Sequence, residues 1–289
     1  MGSGSYSYLS SKSRSKSYAT MDASKIFTSE SRHTHQVSQK FDIKGKVRES
    51  RDSDEHPESF PIIIALDVTG SMGSIPERLI KYDFPEIMKK ILDIGIKHPQ
   101  VCFVGIGDHE CDDVPIQVGQ FESSDELMDS WLKGLYLEGG GGGNAGESYS
   151  LAWYFAARHT DIDSFIKRNK KGVLITIGDE PFLKNLPQET IKDLFGEGQG
   201  DVKSEDIYNE ACEKWDIYHI NVMDFSGRTV RTSKSWKFLG NHLINTQSND
   251  GSDIIDIIPE IVISSYNGGT TPVEHNTQEV DVEEEEILY

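Results

Sequence analysis

Positive charge is in short supply in this 289-residue chain: 29 Lys and Arg stand against 48 Asp and Glu, a formal net charge of -19 at pH 7. Neutralising phosphates takes clustered Lys and Arg, so the balance argues against a nucleic-acid binder. It favours solubility, basic partners and cations instead. Cysteine is also scarce. Cys102, Cys111 and Cys212 are too few for a disulfide framework, and a reducing, cytoplasmic setting is expected. No window approaches the roughly 20 apolar residues that span a bilayer. The opening stretch MGSGSYSYLSSKSRSKSYAT lacks the apolar core of a signal peptide, so no membrane partner is expected. Hydrophobic residues make up only 36% of the chain, which suggests that part of it is not packed.

What is present divides into three. Residues 1–59 are rich in Ser, Lys, Arg and Gln with weak periodicity. They read as a basic, flexible arm that orders only against a partner or the domain's own acidic surface. Residues 267–289 form an acidic tail ending in VDVEEEEILY. Between them, strand and helix patterns alternate.

PIIIAL, from Pro61, is a buried strand by composition; VCFVGIG, GVLITIG, WDIYHINVM and HLINT are others, and PIQVGQF is a more polar, edge-like one. Leu79/Ile80, Phe84, Ile87/Met88 and Ile91 recur at helical spacing, with Pro85 expected to bend or restart that helix. Further helices are expected over SSDELMDSWLKGL and ESYSLAWYFAARH, around Ile191 and Tyr208, and over DIIDIIPEIVISSY. Such alternation predicts a Rossmann-like, doubly wound α/β fold. Its sheet is six-stranded and mostly parallel, with helices on both faces. Ligands in such folds bind beyond the carboxyl ends of the strands. Asp67, Asp108 and Asp179 each end a strand, so the topology gathers three acids at one sheet edge.

Three chemistries compete for the stretch DVTGSMG that follows the first strand. Phosphoryl transfer of the haloacid-dehalogenase kind needs a second aspartate two residues after the first, and Thr69 stands there. Dinucleotide binding finds a formal GxGxxG at Gly141, Gly143 and Gly146, but that run sits halfway along the chain behind a poor strand, and no GK[ST] exists. Metal binding fits best. Asp67, Thr69 and Ser71 alternate along one tight loop before a helix, and hard cations such as Mg²⁺ prefer oxygen ligands of this kind. His109, Glu110 and Cys111 do not make a zinc site, because adjacent residues cannot all face one tetrahedral ion. Trp153 and Tyr154 read as helix-face core, and His219 as a core or sheet-edge residue.

At these residues the sequence resembles the von Willebrand factor type A (vWA) family, whose metal-ion-dependent adhesion site carries Asp-x-Ser/Thr-x-Ser. Asp67, Thr69 and Ser71 match that pattern, and Asp179 ends the fourth strand where the family has another metal-site acid. The resemblance covers residues 60–266. It implies a module, not an enzyme, that binds Mg²⁺ or Mn²⁺ and docks a partner protein offering a carboxylate. In intracellular members the partner is often an AAA+ ATPase or a kinase. One feature departs from the family: EGGGGGNAGESYS has no Thr where most members supply one. In this respect the chain looks like the intracellular bacterial, phage and alpha-kinase-linked members, with Asn144 and Glu147 filling the loop positions and Asp108 standing behind the metal. A charged replacement makes the ion less electrophilic and changes what it binds. Two rival functions stay open: a structural component of a larger assembly, and a metal-assisted phosphoesterase using Asp67, Asp108, Asp179 and Glu147.

Overall fold

The computed structural model describes residues 4–139, 146–198, 200–223, 234–248 and 250–269. Its centre is strand β1 (Phe60–Asp67), a run of β-branched and apolar residues buried at all eight positions. On one side β1 pairs in parallel with β2 (Pro99–Ile106), from Phe60 opposite Pro99 to Asp67 opposite Ile106. The short strand β3 (Ile116–Val118) closes that edge and runs antiparallel to β2. On the other side lie β4 (Gly172–Gly178), β5 (Trp215–Asn221) and β6 (Leu243–Asn245), all parallel. The order is β6-β5-β4-β1-β2-β3. This is the doubly wound α/β fold that the alternation predicts.

Side chains of β1 alternate between two cores, as a two-residue period requires. Ile62, Ile64 and Leu66 belong to one apolar cluster, Ile63 and Ala65 to the other. The first is covered by helices α2 (Phe84–Asp93) and α7 (Ile254–Tyr266), through Ile87, Met88 and Ile91 of the former and Ile257, Ile258 and Ile261 of the latter. The second is covered by α4 (Tyr149–Arg158) and α6 (Ser204–Ala211), where Trp153 and Tyr154 are buried as expected for core residues. Two further helices, α3 (Asp125–Lys133) and α5 (Gln188–Phe195), complete the layers.

Part of the segment before β1 is ordered against the domain's own acids. Helix α1 (Tyr8–Tyr18) lies along the acidic flank of the domain. Arg14 pairs with Asp125, Lys12 with Glu86 at 2.6 Å, and the Tyr18 hydroxyl donates to Asp129 at 2.9 Å. Downstream, Ile26, Phe27 and Phe41 are each 1% exposed within the first core. Few apolar residues hold this segment, but they are large, and polar contacts to the domain's acids supply the rest. The same segment shields the edge strand: the Phe41 carbonyl accepts from Val118 N at 2.9 Å, and Arg48 donates to the Val118 carbonyl at 2.9 Å.

Pro85 acts as the periodicity predicts. Helical residues Ile75–Arg78 pass into a wide π turn over Leu79–Asp83 before α2 begins. Pro85 has no N–H to donate to the Lys81 carbonyl four residues earlier. The hydroxyl of Ser15, from α1, donates to that carbonyl instead. The acidic tail expected over 267–289 lies outside the described residues beyond Gly269.

Candidate metal centre

At the carboxyl edge of the sheet the chain leaves β1 at Asp67 and turns through Gly70–Met72 into the helix at Ile75. Gly73 makes the last step of that turn at φ 53°, a left-handed conformation that suits glycine. Asp67 is fully buried. Its Oδ1 accepts from the Thr69 N–H at 2.9 Å and from the Thr69 hydroxyl at 2.7 Å. Thr69 Oγ1 lies 3.2 Å from Ser71 Oγ, which donates to Asp179 Oδ1 at 2.7 Å. Four side chains from two strand ends thus form one continuous line of oxygens. Asp67, Thr69 and Asp179 are buried and Ser71 is exposed, so the line meets solvent at Ser71.

The remaining oxygen of Asp67 has a partner that the sequence did not single out. Tyr149, in the first turn of α4, donates its hydroxyl to Asp67 Oδ2 at 3.0 Å. Its ring is fully buried and packs edge-on against His219 and Trp236. A Cβ at Gly178 would stand 1.7 Å from the Tyr149 oxygen, so glycine beside Asp179 is what lets the phenol reach Asp67. The legible signal was the pairing of an aromatic residue just after Glu147 with a glycine ending a buried strand. Burial, and then the charges of Asp67 and Asp179, hold the Tyr149 hydroxyl in its protonated, donating form, well above its ordinary pKa.

Asp108 and Glu147 flank this line. Asp108 is 1% exposed; its Oδ1 accepts from Glu110 N at 2.9 Å, while its Oδ2 is buried with no hydrogen-bond partner. Glu147 is 6% exposed, and its Oε2 is likewise buried and unpartnered. The backbone of Glu147 is pinned to the loop after Asp179: its N–H donates to the Pro181 carbonyl at 2.8 Å and its carbonyl accepts from Leu183 N at 3.0 Å. Asn144, the other loop candidate, lies outside the described residues. His109 turns away to Ser148, with Nδ1 and Oγ 2.7 Å apart.

The electrostatics are one-sided. Burial pushes the Asp67 carboxyl upward; the hydrogen bonds from Thr69 pull against it and the charge of Asp179 adds to it, leaving a net rise. Burial raises the Glu147 carboxyl as well, reinforced by Asp67, Asp112 and Asp108. Among the described residues, no basic side chain forms an ion pair with Asp67, Asp108 or Glu147. Buried acids with orphaned oxygens and like-charged neighbours are costly unless a cation neutralises them. The donor set fits a hard divalent ion: two carboxylates and two hydroxyls, all oxygen. Among the described residues no three His, Cys, Asp or Glu side chains are grouped to hold an ion by themselves, so the hydroxyls of Thr69 and Ser71 are integral to such a site.

No family model and no curated protein matches the chain. Solved structures do. The pilus adhesin SpaC from Lactobacillus rhamnosus GG is similar at 9% identity and a TM-score of 0.44, over 76% of this chain. This chain spans about a third of that adhesin, 31% of its length. An aerotolerance-related membrane protein from Bacteroides fragilis is similar at 12% identity and a TM-score of 0.42, covering 71% of this chain and 99% of its own. A von Willebrand factor type A protein from Catenulispora acidiphila is similar at 11% identity and a TM-score of 0.43, over 72% of this chain and 43% of its own. The chain's own sheet is six-stranded and mostly parallel, with β3 the antiparallel edge. Among the described residues no helix is long and apolar enough to cross a membrane.

Proposed function

We propose that this protein is a vWA module that binds Mg²⁺ or Mn²⁺ at the carboxyl edge of its sheet and uses the ion to dock a partner protein. Asp67, Thr69, Ser71 and Asp179 would hold the cation, and the ion would supply a Lewis-acidic point able to take one more oxygen from outside. The observation that carries this is the unbroken line from Asp67 through Thr69 and Ser71 to Asp179, buried except where Ser71 reaches the surface. The two hydroxyls add donors without adding charge, so the site does not become net negative and leaves room for one more oxygen ligand. No covalent chemistry is assigned to the site. The protein's own groups orient the donors: Tyr149 fixes Asp67, and the turn at Gly73 presents Ser71.

Thermal unfolding with and without cation tests this. At a hundredfold excess of Mg²⁺ or Mn²⁺ over Kd, the wild type gains about 2.7 kcal/mol, and Asp67→Ala gains none. An equal cation-induced rise in Tm for both proteins would remove the assignment.

A further inference from the structure

Two histidines meet at the amino end of the sheet, opposite the edge that carries Asp67. His56 stands four residues before β1 and His98 one residue before β2, so the pairing of Phe60 with Pro99 brings their rings together. Their Nδ1 atoms are 3.3 Å apart and the rings cross at 72°. His56 is 5% exposed, and its Nε2 lies 2.8 Å from the Gly4 carbonyl oxygen. A carbonyl oxygen only accepts, so His56 Nε2 carries a proton and, in the neutral ring, His56 Nδ1 does not. The proton between the rings then sits on His98 Nδ1, which donates to His56 Nδ1. This chain of bonds, from His98 through His56 to Gly4, fastens the segment ahead of α1. Around it, Gly4 N donates to Glu55 at 3.2 Å, Ser7 N donates to Asp125 at 3.0 Å, and the Ser7 hydroxyl caps α1.

We propose that the His56–His98 pair is a pH-sensitive latch on the N-terminal segment. One extra proton fits, because it goes to the other nitrogen of His98 and leaves both bonds in place. A second proton has only His56 Nδ1 to take it. That sets two N–H groups face to face and two positive rings in contact, and Gly4 loses its donor as the His56 ring turns away. The charged neighbours divide. Lys97 and the His56 ring oppose a charge on His98, Glu58 favours it, and Glu55 faces the Gly4 N–H. Burial is the largest influence, and together these hold His98 below its ordinary pKa of 6.5. A histidine whose folded pKa is depressed contributes fully above pH 6.5, and that contribution is lost as pH falls below it. Helix α1 itself stays docked, since its ion pairs Lys12–Glu86 and Arg14–Asp125 involve no histidine.

The test combines two measurements on the full chain, at about pH 7.5 and about pH 5, above the ordinary carboxylate range. Long-range ¹H–¹⁵N spectra read the ring tautomers, and hydrogen exchange, corrected for its intrinsic pH dependence, reads the amides of residues 4–11. Wild type should show His56 protonated at Nε2 and bare at Nδ1 at the higher pH. Its exchange over residues 4–11 should be about tenfold faster at the lower pH. His98→Gln takes up no charge, and its side-chain carbonyl can accept from a protonated His56 Nδ1, so its exchange should change little between the two. A wild-type His56 protonated at Nδ1 at the higher pH would overturn the inference whether or not the variant folds. An equal acceleration in wild type and His98→Gln would overturn it too.

Discussion

The two ends of the central sheet treat the same residue type in opposite ways. At the amino end, just before β1, Asp52 receives both guanidinium nitrogens of Arg168, at 2.6 and 3.2 Å, and the N–H and hydroxyl of Ser59. Beside it, Asp163 pairs with Arg51 at 3.0 Å and Lys167 at 2.7 Å. Burial alone would raise the Asp52 carboxyl, but Arg168 and Ser59 outweigh it and hold the pKa at about 2. At the carboxyl end, burial acts on Asp67 and Glu147 with no basic ion-pair partner among the described residues, and both shift upward. The contrast separates acids whose charge is balanced by basic partners from acids that, among the described residues, have no such ion pair. Burial is common to both ends; partnership is what differs.

Breaking the amino-end pairing should have the largest effect on stability. Arg168→Met strips Asp52 of its bidentate partner and the Ser59 carbonyl of a donor at 2.9 Å. A loss of about 2–3 kcal/mol is expected in urea unfolding at neutral pH. The pH dependence follows from the sign of the shift. Asp52 has a depressed pKa in the folded state, so its contribution is present above the ordinary value of 3.8 and disappears as pH falls toward about 2. The gap between wild type and variant should close across that window. A gap that stays constant would mean that Arg168 acts by packing and that the two ends differ less than their geometry implies.

A smaller effect sharpens the same point for a neutral group. Ser15→Ala removes the hydroxyl that serves the Lys81 carbonyl at the π turn and leaves that carbonyl without its donor from α1. About 1 kcal/mol should be lost, with faster amide exchange along α1. Unchanged stability and exchange would show that the helix docks through its ion pairs alone.

Much of the sheet was legible because buried parallel strands advertise themselves as apolar runs: PIIIAL and GVLITIG fall within β1 and β4. Their acidic ends were legible for the same reason, since a run that stops at Asp67 or at Gly178–Asp179 marks its own strand end. For the N-terminal segment only the attraction of a basic arm to an acidic surface was legible, not the helix or its partners. Helix α1 is polar nearly all round, and its attachment depends on Asp125, Glu86 and Lys81, more than sixty residues away in sequence. Tyr149 escaped for a related reason. Its role depends on Asp67 and Gly178 meeting it from two strands, and helical spacing alone places it in the core. Local pattern reports burial, and the partners of a buried polar atom come from elsewhere in the chain.

The most direct measurement is an anomalous-scattering map of crystals of the full chain grown with Mn²⁺. The account predicts a Mn²⁺ peak among Asp67, Thr69, Ser71 and Asp179. A map with no peak there, or with Mn²⁺ bound only elsewhere, would contradict it.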